Sequence, residues 1–156
     1  MKRLVRLSLA AAAMLVAGGG ASAQQESCTG TVGEARLYVD VYNVRAAEGL
    51  IAVTLYADDS SKFLARRGAL YVGRVPARAP ETSVCIYLPK TGTYAIAVYH
   101  DADSDRSFDR NAVGLPKEGY GFSNNPAVLL GLPRFSSVRL SVPRDNMHTR
   151  VRMRYP

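Results

Sequence analysis

The sequence predicts an all-β domain, an antiparallel two-sheet sandwich of about seven strands with an immunoglobulin-like or transthyretin-like shape. Three observations predict it. Apolar and polar residues alternate in short runs after Ala35. Clusters of Gly, Pro, Asn and Asp punctuate those runs. No segment carries the spacing of an amphipathic helix.

The elements follow in order. Residues 1–23 read as an export signal: Lys2, Arg3 and Arg6 precede an apolar run from Leu7 to Ala17, and Ala21, Ser22 and Ala23 suit a signal peptidase. That run is shorter than the roughly 18 apolar residues a bilayer span needs, so no transmembrane anchor is expected after cleavage. Gln25, Glu26 and Ser27 before Cys28 do not match a lipid-attachment site. The mature chain, residues 24–156, is expected to form a single domain in the periplasm or outside the cell; removing 23 residues from 156 leaves 133, enough for one core. It keeps 17 Lys and Arg against 13 Asp and Glu, a net charge of +4 that gives no reason to expect a nucleic-acid partner.

In ARLYVDVYNV, Leu37, Val39 and Val41 share one face, and GLIAVTLYA repeats the pattern with Ile51, Val53 and Leu55. The short turn around Glu48 and Gly49 predicts that these two strands form a hairpin. Residues 58–68 are polar and basic, with Phe63 and Leu64 as apolar contacts, and read as a loop or short helical turn. ALYVGRV is a weaker strand that Pro76 and Pro80 end. TSVCIYL turns Thr82, Val84, Ile86 and Leu88 one way, and TYAIAVYH sets Tyr94, Ile96 and Val98 against Ala95, Ala97 and Tyr99. A long connection from Asp101 to about Pro133 has no sustained period and needs something to hold it. SSVRLSV and MHTRVRMRY, joined by a turn at residues 143–146, end the chain, and no helix is expected.

Cys28 and Cys85 are expected to pair outside the cytoplasm, a bridge contributing about 4 kcal/mol on the chain-entropy model; the alternative is two separate buried thiols. Without a CxxC there is no sign of a redox site.

The long connection opens with HDADSDRSFDRN, which places Asp at 101, 103, 105 and 109. Carboxylates at every second residue let a chain curl round a hard cation such as Ca²⁺. With Asp101 first, Asp103 and Asp105 take the third and fifth positions, the Ser107 carbonyl the seventh and Asp109 the ninth. Arg106 stands where such loops favour Gly, and Ala112 where they favour Glu, so Asn111 or Glu118 would have to complete the ligand set. The alternative is an Asp-rich turn whose side chains cap their own backbone and pair with Arg106 and Arg110.

The block YAIAVYHDADSDRSFDRNAVGLPKEGYGFSNNP resembles the signature of a bacterial family of small exported proteins, domain of unknown function 2141. His100 and Asp101, Asp109 and Asn111, then Gly114, Pro116, Glu118 and Gly119 to Asn125 follow its pattern. Asp103 and Asp105 replace the common Asn, and Arg106 replaces Gly. The resemblance implies a β-sandwich and supplies no substrate. In GYGFSNN, Gly119 and Gly121 would permit unusual backbone angles, while Tyr120 and Phe122 would either plug the sandwich or form a stacking platform. His100, Glu118, Tyr120, Phe122, Ser123 and Asn124 are thus the candidate ligand-binding residues.

An enzyme would start from His100, Asp101 and Ser123, but no nucleophile elbow surrounds Ser123, and His100 reads better as a hydrogen-bonded strand-end residue. Arg150, Arg152 and Arg154 form a basic stripe that would either meet an envelope polyanion or guard an edge strand. The sequence therefore points to a non-catalytic exported module for an envelope ligand or protein, its long loop ordered by calcium or by its own polar network; the alternative is a hydrolase acting on a cell-envelope polymer.

Overall fold

A strand with one apolar face is stable only when that face lies against another, and two sheets meet in this way in the computed structural model, which describes residues 27–128 and 132–156. The expected export signal, residues 1–23, lies outside the described residues. The chain forms β1 (Ala35–Tyr42), β2 (Leu50–Ala57), β3 (Tyr71–Pro76), β4 (Glu81–Leu88), β5 (Gly92–Asp101), β6 (Gly119–Phe122), the one-turn helix α1 (Phe135–Val138), β7 (Arg139–Val142) and β8 (Met147–Arg152). One sheet has the order β4-β1-β8 and the other β3-β2-β5-β6. β7 shares an edge of β5 with β6, pairing with Gly92–Ala95 while β6 pairs with Ala97–His100.

The inward faces are those that alternation marks. Leu37, Val39, Val41, Ile51, Val53, Leu55, Val84, Ile86, Leu88, Ile96 and Val98 form one buried cluster between the sheets. Each such side chain stabilises the fold by about 1.5–3 kcal/mol relative to exposure. A second, smaller cluster of Tyr56, Ala95, Phe122 and Val138 lies on the outer face of the larger sheet, where Phe63, Phe135 and Val128 cover it. The polar segment after β2 and the segment before β7 are held down by these rings.

Several expectations need correction. β1 and β2 do not form a hairpin: β1 pairs with β4, β2 with β3 and β5, and residues 43–49 cross between sheets. β7 and β8, joined by the turn at residues 143–146, fall in different sheets, and β8 runs parallel to β1, the one parallel pairing among these strands. Side-chain alternation specifies which face is buried but neither the partner nor its direction. The described strands number eight, because β6 lies within the connection read as structureless, and the SSV before β7 belongs to a helical turn.

The Cys28–Cys85 disulfide is formed. Beside it, the Thr29 N–H donates to the Cys85 carbonyl at 2.9 Å and the Tyr87 N–H donates to the Thr29 carbonyl at 3.1 Å, extending the smaller sheet past β4. At the opposite edge, the Asn125 side chain behaves as a strand partner for β8. Its Nδ2 donates to the Arg150 carbonyl at 3.0 Å, and its Oδ1 accepts the Arg152 N–H at 2.6 Å. Tyr120 and Arg154 exchange two backbone hydrogen bonds, so β6 and the C-terminal segment close this side of the sandwich.

Candidate cation site at the end of β5

β5 pairs with the whole of β2, from Tyr94 opposite Ala57 to Asp101 opposite Leu50. The turn before β2 folds over that end. Gly49, at φ 68°, packs so tightly that an added Cβ would lie 2.1 Å from the Asp101 carbonyl oxygen. The Glu48 carbonyl accepts a hydrogen bond from His100 Nε2 at 2.7 Å. Since a carbonyl only accepts, His100 Nε2 carries a proton. Tyr155 Oη lies 2.8 Å from His100 Nδ1 and accepts the Arg45 N–H at 3.1 Å, which leaves its own hydrogen to donate to His100. Burial holds the Tyr155 phenol above its ordinary range, so it keeps that hydrogen. His100 is therefore a buried, fully bonded strand-end residue.

Asp101 follows it into the interior with 0% of its surface exposed. Its Oδ2 accepts the Arg106 N–H at 3.0 Å, whereas its Oδ1 is buried with no hydrogen-bond partner. Leaving a buried polar atom unpaired costs about 1–3 kcal/mol, and more for a charged group. Asp103 and Asp105 turn toward it: each of the three offers a carboxylate oxygen within 4.8 Å of the others. Each also secures the turn, Asp103 Oδ1 accepting the Asp105 N–H at 3.2 Å and Asp105 Oδ1 the Ser107 N–H at 2.7 Å. No ion pair joins these aspartates to Arg106 or Arg110 among the described residues. The capping half of the alternative reading is present, and its arginine half is not.

Ser104 and Arg106 adopt φ of 62° and 66°. Arg106 thus takes the left-handed conformation for which calcium loops favour Gly, at a cost of about 1 kcal/mol. The remaining predicted ligands lie outside the group of three. Asp109 faces Lys117 at 3.9 Å, and Asn111 Oδ1 accepts the N–H groups of Val113 and Leu115 at 3.1 and 3.0 Å. Ser107 gives its N–H to Asp105. Glu118 staples the loop, accepting the Ala102 N–H at 3.2 Å and the Asp109 N–H at 3.0 Å. Burial pushes its carboxyl up, and the charges of Asp101 and Asp109 add to the rise.

The GYGFSNN residues have structural partners. Neither Gly119 nor Gly121 has a positive φ among the described residues, which corrects the expectation of unusual angles. Close approach requires them instead: a Cβ on Gly119 would lie 2.3 Å from Tyr155 Cε1, and one on Gly121 2.6 Å from the Arg152 carbonyl oxygen. Phe122 is buried in the second cluster, and Tyr120 packs beside it with a 5.9 Å ring separation. Ser123 Oγ accepts the Ile96 N–H and donates to the Val138 carbonyl, far from any pairing with His100. Asn124 Nδ2 reaches the Arg139 carbonyl at 2.8 Å.

The arginine stripe is not continuous. Arg150 pairs with Glu81 at 3.7 Å over the Tyr42 ring, while Arg154 turns to the Asn125 and Pro126 carbonyls. Sequence reasoning missed the bracing of β8 by Asn125, whose only signal was a second Asn after Asn124.

No curated protein and no solved structure matches the chain significantly. Residues 39–150, from the middle of β1 into β8, match the family described as uncharacterized protein conserved in bacteria (DUF2141). That span covers most of the chain and contains the aspartate loop, Glu118 and GYGFSNN, and so the protein belongs to this uncharacterised bacterial family.

Proposed function

We propose that the protein is an exported, non-catalytic β-sandwich module whose 101–111 loop takes up one calcium ion and then presents an ordered rim to an envelope ligand or protein. One observation carries the reading: a fully buried Asp101 carboxylate that has no hydrogen-bond partner for its Oδ1 and that lies with the Asp103 and Asp105 carboxylates in one group whose oxygens approach within 4.8 Å. An all-oxygen donor set of this kind suits a hard cation, and the second oxygens of a capping array are free to supply it. Export is supported by the signal-like residues 1–23 and by the disulfide. Comparing thermal unfolding in calcium and in chelator tests the proposal. Calcium raises the melting temperature of the mature protein, and identical curves overturn the cation reading.

A further inference from the structure

The outer face of the larger sheet carries a feature that the cation loop does not explain. Across β2, β5 and β6, Thr54, Ala97 and Phe122 stand in one row, and Ala52, Tyr99 and Tyr120 in the next. Small residues beside rings leave a hollow. Thr54 and Ala97 floor a cavity of about 140 Å³ that Tyr56, Tyr99, Tyr120 and Phe122 surround, and Leu64 and Leu132, both exposed, also line it. Phe108 forms a further wall, its ring centre 5.6 Å from that of Tyr99 and 6.4 Å from that of Tyr120, in edge-to-face contacts. An apolar cavity of roughly 150 Å³ accommodates a benzene ring.

The lining also selects. Arg110 lines the cavity with its guanidinium 5.0 Å over the Phe108 ring, and Nη1 donates to the Gly114 carbonyl at 2.9 Å. No carboxylate among the described residues pairs with it. A sugar ring would need partners for several hydroxyls, whereas the lining is mainly aromatic and aliphatic and its charged group is Arg110. An aryl ring needs none, and an acid attached to it would meet the guanidinium in a strong charge-assisted hydrogen bond.

We propose that this cavity binds a small aromatic carboxylate, its ring set among Tyr99, Phe108 and Tyr120 and its acid group on Arg110. The assignment stands on the cavity's own geometry rather than on a bound cation, although Phe108 and Arg110 belong to the 101–111 loop. Titrating the mature protein with phenylacetate, phenylacetamide and acetate, followed by amide chemical shifts in constant calcium, tests it. Phenylacetate saturates with a Kd of about 1 mM, a value suited to so small a ligand, and phenylacetamide binds about tenfold more weakly. Acetate does not saturate. Ala97→Leu fills the floor and abolishes binding while the spectrum stays dispersed. Arg110→Gln, which leaves the cavity's shape, brings the acid down to the affinity of the amide and so decides the matter should Ala97→Leu misfold. The proposal is overturned by the absence of saturable phenylacetate binding, by acetate shifting the same amides equally, or by undiminished preference for the acid in Arg110→Gln.

Discussion

Replacing Asp101 with Asn should change the protein's stability in opposite directions with and without calcium. In chelator the wild type holds a buried carboxylate oxygen without a partner, beside two further carboxylates. In Asp101→Asn the amide oxygen can still accept the Arg106 N–H, and the amide nitrogen adds a donor to a group whose other members are the Asp103 and Asp105 carboxylates. Relief of the unpaired atom is worth about 1–2 kcal/mol, or roughly 4–8 °C in a domain of this size. With calcium at about 100 times its Kd, the wild type gains about 2.7 kcal/mol, roughly 10 °C, and the variant gains little because a central ligand has lost its charge. Scanning calorimetry of both proteins in both buffers reads the inversion directly. A variant that melts below the wild type in chelator, or an equal calcium shift in both, would refute the reasoning.

Three further expectations follow from the geometry. Converting Cys28 and Cys85 together to Ser removes a cross-link between residues 57 apart and lowers the unfolding free energy by about 4 kcal/mol, read by urea titration. Asn125→Ala removes both hydrogen bonds to the edge of β8 and costs about 2 kcal/mol, with faster hydrogen exchange at the Arg152 amide than at amides inside β1. Arg106→Gly releases the strain of a left-handed residue and raises stability by about 1 kcal/mol, with or without calcium; a loss measured in urea would show that the Arg106 side chain supports the loop.

What could be read from the sequence depended on how much of each element is half-buried. β1, β4 and β5 present one face to the interior and keep polar or small residues on the other, so alternation identifies both the strand and its inward residues. Pairing was less legible. Leu37 and Ile51 belong to the same core whether their strands turn as a hairpin or arch between sheets, and no side chain in the 43–49 connection announces the arch. β6 was hidden because Gly119 and Gly121 occupy its inward positions, so the strand lacks an apolar face; the small–large alternation of GYGF was the remaining trace. The second cluster escaped notice for a related reason: Phe63 and Phe135 are isolated rings in polar segments, and only the folded chain brings them over Tyr56 and Phe122.

At the site, spacing placed Asp101, Asp103 and Asp105 together correctly, because residues two apart in a tight loop face a common centre. The same spacing could not foresee that Lys117 would face Asp109, or that Asn111 would be spent on its own turn. Nor does composition reveal that Asp101 is buried. That follows from Gly49, whose missing side chain lets the turn before β2 close over the end of β5.

The most direct measurement is a crystal structure of the mature protein grown with calcium. The account predicts one ion bound by Asp101 Oδ1 and by oxygens of Asp103 and Asp105 at about 2.3–2.6 Å. Carboxylates pointing separately into solvent, with no ion between them at saturating calcium, would contradict it.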